Sequence, residues 1–370
     1  MVSVNHLPTE CLVLILSFVH SPISFEPSNL SEDDEDEDDA MVCDYSKSLR
    51  NLQRASRVSK LWLSIAHPIL WRHLNIWSYT GAKLVMESAG FGRFRTDELD
   101  LTAHCAEESE PESEPESGRW RGWRNDFLDL VKGLKGLRKI VLVSVIELAD
   151  DRWVAEGSLK DLEDLSINTA FVRLRTPLNT PPTTFQLSTL NIGHLVDSPF
   201  FIKSLLSSSS NSLTSLKLHP SPSIFSALLA TLPLLANSLK SFHLAGKLPG
   251  LDTLLPQFKL LHTFHLELLH EDESTIDSIN FTLLALPSPV VNVKILFRNR
   301  EEEMVDVVRH FNKILRDGSE GWKRLNVLHC QVCTLFKGVE LEEDIQSGDG
   351  WAELAQLCED RGVMLSKDTS

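Results

Sequence analysis

Leu213-Thr214-Ser215-Leu216-Lys217-Leu218 and, 26 residues later, Leu239-Lys240-Ser241-Phe242-His243-Leu244 share one pattern. An apolar residue stands first, fourth and sixth, with polar residues at most positions between. Working outward, the same template recurs upstream as Leu137-x-x-Ile140-x-Leu142, Leu162-x-x-Leu165-x-Ile167 and Leu187-x-x-Leu190-x-Ile192. Downstream it returns as Leu261-x-x-Phe264-x-Leu266, Val290-x-x-Val293-x-Ile295 and Leu325-x-x-Leu328-x-Cys330, and Leu99-x-Leu101 is a weaker copy. Successive first positions differ by 25, 25, 26, 26, 22, 29 and 35 residues. Random apolar spacing does not hold a period in that way. The alternating end of each copy predicts a short strand with one buried face. The stretches between carry helical signals: Phe127, Leu130, Val131 and Leu134 share one helical face, as do Met304, Val307, Val308, Phe311 and Leu315, and Leu354, Leu357 and Cys358. Gly362 predicts the end of that last helix, and Val363-Met364-Leu365 a closing strand.

One strand and one helix per ~25 residues resembles the leucine-rich repeat. The resemblance implies an α/β fold in which units stack into a curved solenoid, with a parallel sheet inside the curve and helices outside. One departure stands out. The family's Asn or Cys at the ninth position is replaced by Val145, Ala170, Leu195, Ser221, Lys247 and Leu269, so no asparagine ladder braces the turns and irregular repeats are expected. In this repeat the third, fifth and seventh positions face the concavity. The fifth-position column runs Val141, Ser166, Asn191, Lys217, His243, His265, Lys294, His329. The seventh runs Val143, Asn168, Gly193, His219, Ala245, Glu267, Leu296, Gln331. Neither column is apolar enough for core. With neighbouring strands ~4.8 Å apart, Asn191, Lys217, His219, His243, His265, Lys294 and His329 are expected to form a patch that grips a polar or anionic protein substrate. The bland alternative is a solvated sheet face.

The opening seventy residues are of another kind. Eight of the nine residues Cys11 to Val19 are apolar, so a helix there has no wet side. Pro8 and Glu10 suit its first turn. Further on, Leu49, Leu52 and Ala55 form one stripe and Val58, Leu61, Trp62 and Ile65 a second, before His67-Pro68, where the helix is expected to stop. Three short helices cannot shield that many large side chains unaided, and such a surplus marks an interaction surface. The order Leu7-Pro8-Thr9-Glu10-x-Leu12-x-x-Ile15-Leu16, then Arg57-Val58-Ser59-Lys60-x-Trp62, then Pro68-x-Leu70-Trp71 resembles an F-box, over Leu7 to Leu74. That resemblance implies docking onto the Skp-family adaptor of SCF (Skp–cullin–F-box) ubiquitin ligases, and through it onto a cullin. The adaptor-facing residues it implies are Leu7, Pro8, Leu12, Ile15, Leu16, Val58, Trp62, Pro68, Leu70 and Trp71. Several of these, Trp62 above all, equally suit holding the three helices together. The expected organisation is a three-helix F-box over 1–74, with an acidic insert at 24–46, then the repeat region over 75–370, with a second acidic insert at 104–118.

The chain of 370 residues carries 36 basic and 52 acidic residues, a net charge of −16. Eight of the acids are consecutive, Glu32 to Asp39, and six more lie within Glu107 to Glu116; without those fourteen the balance is −2. Like charges with nothing apolar between them do not fold alone, so both runs are read as disordered. Ser31, Ser109 and Ser113 each have an acid three residues on, which suits an acidophilic kinase. No uniformly basic surface exists for counterion-release binding, and Arg119-Trp120-Arg121-Gly122-Trp123-Arg124 sits beside six glutamates, which argues against nucleic acid as a partner. No apolar run reaches the ~18 residues of a membrane span. The six cysteines, at 11, 43, 105, 330, 333 and 358, are too sparse for a disulfide scaffold. Cys330-x-x-Cys333 lacks a second ligand pair, and the scattered histidines have no metal-site spacing, so no metal and no cofactor are expected. The location expected is intracellular, cytoplasmic or nuclear.

No Gly-rich phosphate loop, nucleophile elbow or HExxH helix is present, so no enzyme activity is expected. The leading expectation, from the two resemblances together, is the substrate-recognition subunit of an SCF ubiquitin ligase. The alternatives are a non-degradative scaffold bound to the same adaptor and, resting only on the acidic runs, a histone- or nucleic-acid-associated factor.

Overall fold

Residues 60–76, 79–102, 122–143, 157–168, 183–193, 196, 198–269, 290–298, 312–313, 316, 325–333 and 349–369 are described by a computed structural model. The chain divides into two compact units, Met1–Glu163 and Asp164–Ser370.

In the first unit, helix α1 (Lys60–Arg72) runs directly into strand β1 (His73–Ile76), followed by helix α2 (Tyr79–Glu87) and strand β2 (Glu98–Thr102). Helix α3 (Gly122–Gly133), strand β3 (Lys139–Val143) and a 3₁₀ turn (Gly157–Leu159) complete it. β1 pairs with β2 and β2 with β3, both parallel. Leu99, Leu101, Ile140 and Leu142 are buried on one face of these strands, and Phe127, Leu130, Val131 and Leu134 of the α3 segment are buried with them.

One expectation changes here. The helix does not stop at His67-Pro68; Pro68 lies inside α1, which continues for four more residues. Proline forfeits one main-chain hydrogen bond and crowds the preceding turn. Burial of Ile65, Ala66 and Ile69 on either side of it offsets that loss. Strand β1 spans positions 74 and 75, and the division between the two compact units lies at 163/164. His73-Leu74-Asn75-Ile76 is the first strand among the described residues.

The second unit is mixed α/β, built on an eight-stranded sheet: β4 (Asp164–Ile167), β5 (Thr189–Ile192), β6 (Ser215–Leu218), β7 (Ser241–Ala245), β8 (Thr263–Leu269), β9 (Val290–Arg298), β10 (Leu325–Cys333) and β11 (Met364–Thr369). Each strand pairs in parallel with the next in sequence. Between them stand helices α4 (Pro199–Ser208), α5 (Phe225–Thr231), α6 (Leu251–Leu254) and α7 (Asp349–Asp360). The fourth and sixth template residues are the inward side chains: Leu165, Ile167, Leu190, Ile192, Leu216, Leu218, Phe242, Leu244, Phe264 and Leu266 are all buried. Phe242 is central, with its ring 5.6 Å from Phe264 and 6.3 Å from Phe258.

Serines and main-chain carbonyls brace the turns that lack an asparagine. Leu187 N–H donates to Ser209 Oγ at 2.9 Å, Ser212 Oγ donates to the Leu187 carbonyl at 2.8 Å, and Ser238 Oγ donates to the Ser210 carbonyl at 2.7 Å. At the entries of β6, β7 and β8 one carbonyl accepts two N–H groups from the following repeat. Ser188 O takes Thr214 and Ser215, Thr214 O takes Lys240 and Ser241, and Lys240 O takes His262 and Thr263. Asp97 O does the same for Arg138 and Lys139 in the first unit. Because these bonds use the backbone, the register survives the loss of the side-chain ladder.

The last helix ends as its glycine predicts. Gly362 has φ of 68°, in the left-handed region that glycine enters without steric cost. Gly362 N–H donates to the Glu359 carbonyl at 3.0 Å and Val363 N–H to the Cys358 carbonyl at 2.8 Å, the double bond of a Schellman cap. β11 begins one residue later.

Candidate functional site

Alternation along the strands leaves a polar face opposite the buried one, and the register settles which side chains meet on it. Ser166 pairs with Asn191, Asn191 with Lys217, Lys217 with His243, and His243 with His265. The fifth-position column therefore exists from β4 to β8. It then slips. His265 pairs with Asn292, and Lys294 pairs with Glu267. The expectation that His265, Lys294 and His329 continue one row is corrected: Lys294 and His329 are paired with each other, two residues off the row that holds His265. A two-residue slip keeps every side chain on its face of the pleat, so the apolar pattern tolerates it.

At the β4–β5 end the polar groups are tied together. Asn191 Nδ2 donates to Asn168 Oδ1 at 2.7 Å and to Ser166 Oγ at 3.1 Å, and Ser166 Oγ donates to Asn168 Oδ1 at 3.1 Å. Ser188 Oγ donates to Asp164 Oδ1 at 3.2 Å. Asn191 is thus half-buried and engaged within the chain.

The β6–β8 part is different. Lys217 and His219 are exposed, and His243 and His265 are half-buried with ring centroids 4.4 Å apart. Nε2 of His243, screened from solvent, lies 3.4 Å from Glu267 Oε2; the approach suits an ion pair better than a directed hydrogen bond. Half-buried Ser215, Ser241 and Thr263 form the adjacent third-position row, and exposed Lys240 and His262 stand just before β7 and β8.

Of the residues implied to face an adaptor, Leu7, Pro8, Leu12, Ile15, Leu16 and Val58 lie outside the described residues. Trp62, Pro68, Leu70 and Trp71 all belong to α1. Trp71 is half-buried, with its ring centroid 6.3 Å from Phe94, and a Cβ on Gly90 would stand 2.4 Å from its indole. His67 meets the same Phe94 edge-on at 5.9 Å. The 88–95 turn of this chain thus provides a seat for part of that helix.

A second polar cluster was not foreseen. His73, Glu98 and Lys139 are register partners across β1, β2 and β3. Glu98 Oε2 lies 3.4 Å from His73 Nδ1 and 3.8 Å from Lys139 Nζ. The neighbouring His73, with Lys139, holds the Glu98 carboxyl below its usual range, against the partial burial that would raise it. Only the recognition of β1 as a strand would have brought the three together.

Among the described residues, no group of three or more His, Cys, Asp or Glu is arranged to hold a metal ion, and no helix is long and apolar enough to cross a membrane. No family model and no curated protein matches the chain.

Proposed function

We propose that this protein is the substrate-recognition subunit of an SCF-type ubiquitin ligase. Its opening helices dock onto a Skp-family adaptor, and the β4–β11 region, a leucine-rich-repeat-like solenoid, presents its polar sheet face to a protein substrate. The observation that carries the reading is the sheet order. Each strand pairs in parallel with its successor at the spacing of the repeat, as stacked strand–helix units require. The F-box-like order of Leu7-Pro8, Leu12, Ile15-Leu16, Val58, Trp62 and Leu70-Trp71 supports the adaptor half. The chain itself performs no chemistry in this reading; it brings a substrate to ubiquitin transfer carried out by its partners.

Co-expression with a Skp-family adaptor tests this. The full chain is expected to co-purify with the adaptor, and Leu12→Ala with Ile15→Ala to abolish co-purification while the 164–370 unit stays folded. Retained binding by the double variant contradicts the assigned surface. Accumulation of a bound client on cullin inhibition separates a receptor from a non-degradative scaffold, whose partner would not accumulate.

A further inference from the structure

The stretch 183–269, which supplies β5 to β8 and their helices, contains five lysines, five histidines and three carboxylates, and no arginine. Counting lysine against carboxylate it is net +2, within a chain of −16. On the sheet face Lys217 and Lys240 outnumber the single carboxylate Glu267, with three histidines among them. Lys217, His243 and His265 form one register row across β6, β7 and β8, while Lys240 and His262 lie exposed at the strand entries. Ser215, Ser241 and Thr263 line the adjacent row with hydroxyl donors. Glu267 is the one carboxylate in these three strands, and it already faces His243. The Asn191–Asn168–Ser166 cluster is hydrogen-bonded within the chain.

We propose that the β6–β8 face is a docking surface for a carboxylate-rich, extended peptide segment of a partner protein. This deepens the reading of the sheet face as the substrate-binding surface and rests on it. Charge complementarity selects an acidic segment. The row offers spaced single-point donors on lysine and histidine and no arginine fork, which suits several singly charged carboxylates spread along a chain better than one dianion held at a point. The dimensions agree. Lys217 to His265 spans two inter-strand steps, about 10 Å, and an extended peptide advances about 3.4 Å per residue, so roughly four residues span the row with two side chains, about 7 Å apart, facing it.

Fluorescence anisotropy of the full chain with a fluorescein-labelled octaglutamate peptide, in low salt, tests the proposal. Octaglutamine and a phosphoserine-containing peptide of neutral background are the comparison probes. The expected result is saturable binding of octaglutamate, weakened about tenfold or more by Lys217→Glu with Lys240→Glu. Lys203→Glu, on α4, reverses one exposed lysine away from the strands and is expected to change affinity less than about twofold. Equal binding of octaglutamine, an equal loss with Lys203→Glu, or binding of the phosphopeptide alone would overturn it. Adaptor co-purification of the same variants keeps the two failures apart. Capture with no octaglutamate binding sinks this inference alone, whereas octaglutamate binding without capture sinks the ligase reading and leaves the docking face standing.

Discussion

Gly193 lies so close to Asn168 on the preceding strand turn that a Cβ on it would stand 1.7 Å from the Asn168 carbonyl oxygen. Its N–H donates to the Ile167 carbonyl at 2.6 Å. The clash would be with backbone, which cannot swing aside as a flexible side chain does. Gly193→Ala is therefore expected to push β4 and β5 apart and to cost roughly 2–3 kcal/mol, the upper part of the range for overpacking. Because Asn168 Oδ1 accepts from Asn191, the same change loosens that cluster. Chemical denaturation of the variant checks the cost; an unchanged midpoint contradicts the close approach.

Glu98 makes acid stability a property of the first unit. Its folded-state pKa lies below the ordinary value of 4.5, mainly through His73 and then Lys139. A depressed carboxylate contributes stability that is present above its unfolded pKa and is lost as pH falls through the lower folded value. The difference in thermal midpoint between the wild type and Glu98→Gln is thus expected to be larger at pH 6 than at pH 3. A gap independent of pH would show that the carboxylate's charge is not what His73 and Lys139 stabilise.

Cys358 is buried on α7, and burial pushes its thiol up to about 11, overriding the opposite pull of Arg361. The thiolate is the reactive form, so the side chain is inert in the native state. Iodoacetamide at pH 8, followed by peptide mapping, should modify Cys358 only once denaturant is added. Labelling at equal rates in native and denatured protein would refute its burial.

Trp71 sits on Gly90 and beside Phe94, so it supports the first unit whatever else it contacts. Trp71→Ala is expected to lower the stability of that unit by roughly 2–3 kcal/mol, less than a fully buried tryptophan because the residue keeps part of its surface exposed. Gly90→Ala should act in the same direction by displacing the indole. Melting of both variants with no adaptor present isolates this contribution. No loss in either would remove Trp71 from the packing of its own chain.

Much of the strand order was legible because the template repeats both an apolar face and its spacing. Leu216 and Leu218, or Phe242 and Leu244, announce a strand with one buried side, and the preceding Leu213 or Leu239 marks its entry. The end of α7 was equally legible from Gly362. Three features were not. His73-Leu74-Asn75-Ile76 follows an apolar helix without a break, so nothing in the pattern separates the strand from what precedes it. Pro68 was read by the rule that proline ends a helix, a rule the burial of Ile65, Ala66 and Ile69 overrides. The slip between β8 and β9 is invisible because Phe264, Leu266 and Leu268 can pair with Val291, Val293 and Ile295 or be offset by two without the alternation of the sequence changing. On the candidate face, Lys217, His243 and His265 followed from the period, whereas the partners of Asn191 and Glu267 needed the register itself.

Amide hydrogen exchange of the full chain, with and without a purified Skp-family adaptor, addresses the proposed assembly most directly. The account predicts that adding adaptor slows exchange in peptides covering 7–19 and 58–71, and leaves the buried strands Ser215–Leu218 and Ser241–Ala245 as they were. Exchange in 7–19 and 58–71 that is identical with and without adaptor would mean that no such partner covers those segments.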